Sequence, residues 1–152
     1  MEHGNPYLML LAMAVLSFIA MYVLMYAMVD QGANVYNSIN QVYMAALMAA
    51  PMVLIELLLM GRMYPRRRTN MVIGVVSILA MVLFWFAIRT QAGVGNEQFL
   101  RSMIPHHAGA VLMCREAPLT DQRIMQLCQE IIAGQEREIA EMKTLLAGSP
   151  PQ

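Results

Sequence analysis

The stretch YLMLLAMAVLSFIAMYVLMYAMV, residues 7–29, decides the class of fold. It holds 23 residues without a charge, and at about 1.5 Å of helical rise each such a run crosses the ~30 Å hydrocarbon core of a bilayer. The flank MEHGNPY has no Lys or Arg, the apolar run is too long for a signal peptide, and no small-x-small cleavage site follows it. The stretch is expected to stay in the protein as a first membrane span. Asp30 to Asn40 (DQGANVYNSIN) then reads as a polar, turn-forming connection. Val42 to Met60 is apolar except for Glu56, bends at Pro51 and makes a second span. Gly61 to Arg68 (GRMYPRRR) holds four of the ten basic residues, and Met71 to Ile88 is uncharged and just long enough to be a third span.

The rest of the composition agrees. Of 152 residues, 59% are hydrophobic and only 13% charged, with a mean hydropathy of +0.51. A soluble domain of this size cannot bury that much apolar surface, so a cytosolic enzyme is not expected. Ten basic residues balance ten acidic ones, and the one basic cluster flanks the membrane, which leaves no footprint for nucleic acid. Seventeen methionines stand against four phenylalanines and one tryptophan. Methionine is both a flexible apolar filler and a soft thioether donor. Two cysteines are too few for a disulfide scaffold.

Orientation follows from Lys and Arg near the span ends. The loop with Arg62, Arg66, Arg67 and Arg68 is expected to stay cytoplasmic, whereas residues 30–40 carry no basic residue. The N-terminus then lies inside and the tail outside. For a bacterial inner-membrane protein, outside is the periplasm. A composition shift at Arg89 and the linker Thr90 to Asn96 (TQAGVGN) separate a membrane domain, 1–92, from a water-facing domain, 93–152. In the latter, Asn96 caps a helix that runs to about Glu116 before Pro118, and Thr120 or Asp121 caps a second that runs to about Ala147. The fold class is all-α: three transmembrane helices and a helical hairpin.

On the first tail helix, Met103, His107, Ala110 and Cys114 fall within an apolar stripe about 60° wide, with His106 at its edge beside Met113. Pro105 cannot donate to the carbonyl of Arg101, so it is expected to kink the helix and expose the histidine pair. On the second helix, Ile124, Cys128, Ile131, Gln135, Ile139, Met142 and Leu146 share a face, with Glu138 close to it. A hairpin turning near 117–120 brings Met103 level with Gln135, His107 with Ile131 and Cys114 with Ile124. Thioether and imidazole together, with Cys or carboxylate in reach, suit copper: Met and Cys favour Cu(I), and imidazole serves either oxidation state. In this register Cys114 and Cys128 are offset along the axis, poor geometry for a disulfide within one hairpin. That leaves metal ligation, free thiols or a bridge between chains. The plainer alternatives are a hydrogen-bonded histidine, a Gln135 that bonds across the hairpin, and a Glu138 that pairs with Arg101.

The segments MIPHHAGAVLMCREA (103–117), with Asp121, and LCQEIIAGQEREIAEMKTLL (127–146) resemble the domain-of-unknown-function family numbered 305, over about 50 of the 152 residues. The motifs are a Met-x-x-His-His block and a distant Gln-x-x-Glu-Ile-x-x-Met block. The resemblance implies a ferritin-like helical bundle, often exported, with members associated with copper or silver binding. Carried over, the metal-associated positions are Met103, His106, His107, Met113 and Met142, with Gln135 and Glu138 in the second block. Cys114 and Cys128 join the candidate ligands on geometry alone. Because this tail has two helices, a four-helix bundle requires two chains, and a homodimer or higher even oligomer is expected.

In the second span Met44, Met48, Met52, Glu56 and Met60 recur at steps of four. An ionisable group at that depth is costly and so a functional candidate, unless it bonds a neighbour such as Tyr22 or Tyr26. The first expectation is a non-enzymatic, membrane-anchored copper (or silver) binding protein that captures, buffers or delivers the ion, to a copper-receiving membrane protein among other acceptors. The rivals are a copper transport component using Glu56, Met48, Met52 and Met60, and a structural subunit of a larger membrane complex. Catalysis has no support: there is no nucleophile–base pair, phosphate-binding glycine loop or bridging Glu-x-x-His set.

Overall fold

The computed structural model describes residues 5–148. These form five α-helices and no strand: α1 Pro6–Leu24, α2 Ile39–Leu59, α3 Arg67–Thr90, α4 Asn96–Glu116 and α5 Gln122–Gly148. Short 3-10 turns follow α1 at Met25–Met28 and Gly32–Asn34, and another precedes α3 at Gly61–Met63. Three helices are long and apolar enough to cross a membrane: Pro6–Met28 counted with its 3-10 end, Ile39–Leu59 and Arg67–Thr90. The chain divides into two compact units.

The first unit comprises residues 5–24 and 40–92, the three spans. Their side chains are mostly exposed within the chain, as Leu16, Leu58, Leu79 and Leu83 illustrate, which is the pattern of helices whose solvent is lipid. The buried positions are few: Leu10 on α1, and the small residues Ala45 and Ala49 on α2, one turn apart. Ser77, buried in α3, donates its hydroxyl to the Ile73 carbonyl, 2.9 Å away, so no polar atom is stranded there. Pro51 lies inside α2 without ending it. At the arginine-rich end a clasp joins the helices. The Tyr7 ring packs on Tyr64 at 5.5 Å, the Tyr7 hydroxyl donates to Asn70 Oδ1 at 3.0 Å and the Asn70 amide donates to the Tyr64 carbonyl at 2.9 Å. At the other end the Tyr43 hydroxyl donates to the Ala92 carbonyl at 2.9 Å, and Gln91 closes α3 in the left-handed conformation with φ 51°.

The second unit comprises residues 93–148 together with residues 25–39. The connection between the first two spans, read from sequence as a polar turn, is thus part of the tail. With three spans, that connection and the C-terminal tail emerge on the same side, so the joint unit is what the topology permits. The core is formed by Ile104, Ala108, Ile139 and Met142, with Leu100, Met103 and Leu146 from the hairpin and Val29 and Tyr36 from the connection. Val111 is also fully buried. A Cβ on Gly109 would meet the Met28 carbonyl at 3.3 Å, so glycine permits the close approach of the connection to α4. Three polar ties fasten it further. Gln98 Oε1 accepts from the Ile39 amide at 2.9 Å, Arg101 Nη1 donates to Asn37 Oδ1 at 3.2 Å and Arg115 Nη1 lies 3.6 Å from the buried Asp30 carboxylate.

Two expectations are corrected here. α4 runs through Pro105 to Glu116, and of the histidine pair expected to be exposed beside it only His106 is exposed. The hairpin register also differs. The turn extends through Asp121, whose carboxylate accepts the Arg123 amide at 2.8 Å and starts α5. Hydrogen bonds from the Arg123 side chain and backbone hold that carboxyl below the ordinary range. The later turn sets Cys114 opposite Cys128 rather than Ile124, with Cα atoms 5.2 Å apart, and the two form a disulfide within the hairpin.

Candidate metal site and family

The seam between α4 and α5 gathers part of the sequence-derived set. Met103 packs on the cluster that contains Met142, the latter only 8% exposed. One turn further along α4, the His107 side chain is 12% exposed, and its Nε2 lies 2.8 Å from Glu138 Oε2. His107 Nδ1 lies 2.9 Å from the carbonyl oxygen of Met103. A carbonyl only accepts, so Nδ1 carries the hydrogen and donates it. Nε2 is engaged as well, by the Glu138 carboxylate, so an ion at Nε2 would take the place of that contact while the Met103 carbonyl kept its hold on the other nitrogen. Glu138 is not a partner of Arg101, which bonds Glu97 Oε1 at 2.7 Å.

The remaining candidates do not converge there. His106 is exposed, its ring 6.0 Å from that of His107. Met113 is exposed. Gln135 is half-buried on α5, and it is not level with Met103 because the register brings residues 139–142 to that position. Cys114 and Cys128 are spent in the disulfide, and among the described residues no cysteine is free. No three His, Cys, Asp or Glu side chains gather among the described residues. The soft to borderline donors in this part of the tail are the thioethers of Met103 and Met142, in the core cluster, and the imidazole of His107, against the Glu138 carboxylate. That chemistry suits Cu(I) or Ag(I) better than zinc, which favours thiolates and histidines.

In the membrane unit, Glu56 accepts the Tyr64 hydroxyl at 3.1 Å. The sequence offered Tyr22 or Tyr26 instead, but Tyr26 donates to the Tyr36 carbonyl at 3.0 Å. Burial first, and then the bond to Glu56, push the Tyr64 phenol up from its usual value. Met48 and Met52 are partly buried, while Met60 is exposed beyond the end of α2, so the methionine row does not continue through one helix.

Sequence reasoning missed the buried polar group of the connection, in which Asn34 Nδ2 donates to Asp30 Oδ1 at 2.6 Å. Its only sequence signal was the pair of aromatic residues, Tyr26 and Tyr36, flanking an otherwise polar loop.

The fold and seam define an all-helical chain with three helices fit to cross a membrane and a helical tail. Residues 88–146 match the family described as a domain of unknown function (DUF305). The chain is 34% identical over 141 residues to "Uncharacterized protein L153" of Acanthamoeba polyphaga mimivirus, covering 91% of each. The similarity therefore runs through the spans as well as the tail. This chain belongs to the DUF305 family. No solved structure matches it.

Proposed function

We propose that this is a membrane-anchored, non-enzymatic binding protein for copper or silver, which captures the monovalent ion at the α4–α5 seam and buffers or delivers it. One observation carries the reading. The carbonyl of Met103 holds His107 Nδ1 at 2.9 Å, which leaves Nε2, now against Glu138, as the nitrogen to take an ion, on a helix whose core neighbours include Met103 and Met142. Met103, Met142 and His107 would hold the ion, the Met103 carbonyl would orient the imidazole, and Glu138, giving up its contact with Nε2, would balance charge. His106 and Met113, exposed on the same helix, suit a first encounter with the ion.

The proposed location is a bacterial inner membrane with the tail in the periplasm. The arginine-rich loop supports a cytoplasmic side opposite the tail, and the Cys114–Cys128 disulfide supports an oxidising compartment around it. Exposed Phe99, Leu127 and Leu145 on the tail helices suit a second copy of the chain completing a bundle. The hydrogen bond from Tyr64 gives Glu56 a structural partner and favours capture over transport.

The test is a Cu(I) competition titration of the purified full chain in detergent, beside its Met103→Leu/His107→Gln variant. The expected result is stoichiometric copper in the parent and its loss in a variant that retains the parent's helicity. Equal binding by both proteins, or none by a folded parent, would overturn the proposal.

A further inference from the structure

The Cys114–Cys128 bond lies toward the turn of the hairpin, away from the core of Ile104, Ala108, Ile139 and Met142. Its two half-buried residues line an open surface cavity of about 230 Å³, together with Arg115, Leu119, Met125 and Gln129. A disulfide that serves only to staple a fold gains nothing from such an opening. The cavity gives an attacking thiolate a way to the bond; Arg115 lines it too, with its guanidinium paired to Glu136 and Asp30.

We propose that this disulfide is a redox-controlled soft-metal site, distinct from the His107 seam and independent of it. In the disulfide form the sulfurs are bonded to each other and hold no ion. A dithiol reductant attacks the bond, passes through a mixed disulfide, and leaves as its own cyclic disulfide; the protein gains two thiols, so two electrons and two protons are transferred. One Cu(I) or Ag(I) then displaces the two thiol protons and binds as a bis-thiolate. The two sulfurs come from facing helices whose Cα atoms are 5.2 Å apart, and the Met125 thioether in the same cavity supplies a third soft donor. Reduction thus raises the capacity of the tail for the ion, and oxidation lowers it.

The experiment uses the full chain in detergent, oxidised or reduced with dithiothreitol and then freed of reductant without oxygen, and titrated with Ag(I). Reduced protein is expected to bind one equivalent more than oxidised protein. Cys114→Ser/Cys128→Ser is expected to gain none on the same treatment, with its folding checked by helicity. The Met103→Leu/His107→Gln variant is expected to keep the extra equivalent, which separates this site from the seam: loss of seam binding alone leaves the present inference intact. A bond that withstands dithiothreitol in the folded protein, an unchanged stoichiometry on reduction, or an extra equivalent in the serine variant would each overturn it.

Discussion

Glu138→Gln separates a charge-balancing role at the metal from a merely structural one. The substitution keeps the shape of the side chain and removes its charge, at a position where Oε2 is 2.8 Å from His107 Nε2. Glu138 is 48% exposed, so water screens the pair and its contribution to stability is about 0.5 kcal/mol. For a tail of this size that is a fall in Tm of roughly 2–4 °C. If Glu138 instead balances the charge of an ion bound at His107, its loss weakens copper binding by about 10- to 100-fold, which is about 1.4–2.7 kcal/mol. Affinity therefore falls by several times more free energy than stability. The assay is Cu(I) competition against a chromophoric chelator, run beside thermal unfolding on the same preparation. An affinity within about twofold of the parent, with or without a fall in Tm, would refute the reasoning and return the pair to the status of a surface contact.

Three further outcomes follow from other parts of the molecule. Ile104→Ala empties a fully buried core position and is expected to destabilise the tail by about 2–5 kcal/mol, read by urea-dependent proteolysis; a cost below about 1 kcal/mol would place the core elsewhere. Tyr64→Phe removes the donor to Glu56 and leaves a carboxylate without that bond, with an expected loss of about 1–3 kcal/mol in the thermal stability of the spans in detergent; an unchanged melting curve would deny the clasp. Asp121→Asn concerns pH. The Asp121 carboxyl is held below its ordinary value of 3.8 in the folded chain, chiefly by Arg123, so its stabilisation is complete at neutral pH and is lost as pH falls from 3.8 through the lower folded value. The asparagine variant is expected to be less stable at pH 7 and to show less acid sensitivity in that window, followed by circular dichroism.

The spans were legible because uncharged runs of that length admit no other reading, and the helix ends moved by only a few residues: the third span, read as 71–88, is Arg67–Thr90. The stripe of the tail was legible for the same reason, and Met103, His107 and Met142 do lie on the seam. The register was not legible. It depends on the path of the turn: Asp121 was among the expected caps, yet the pairing implied by a turn near 117–120 is displaced by four residues, which sets Cys114 opposite Cys128 rather than Ile124 and turned two candidate ligands into a disulfide. Nor was the role of residues 25–39 readable, since Val29 closes the apolar run of the first span, Tyr36 stands in a polar stretch, and only a tertiary partner gives them a core. Of the histidine pair beside Pro105 only His106 is exposed, because His107 is held by the Met103 carbonyl and Glu138.

The contribution of residues 25–39 to the tail core has a consequence for biogenesis. The chain is made from its N-terminus, and a segment that lies between the first two spans waits, as synthesis proceeds, for partners 59 and 64 residues later in the chain: Ile39 for Gln98, and Asn37 for Arg101. The tail reaches its complete fold only when the first connection and the C-terminus have arrived on one side of the bilayer. A chain inserted with the wrong number of crossings exposes Ile104 and Met142 without their lid, a lesion that quality-control proteases recognise. Correct threading of the membrane is thus a condition for a finished tail, and a fragment that begins at residue 93 lacks a part of its own interior.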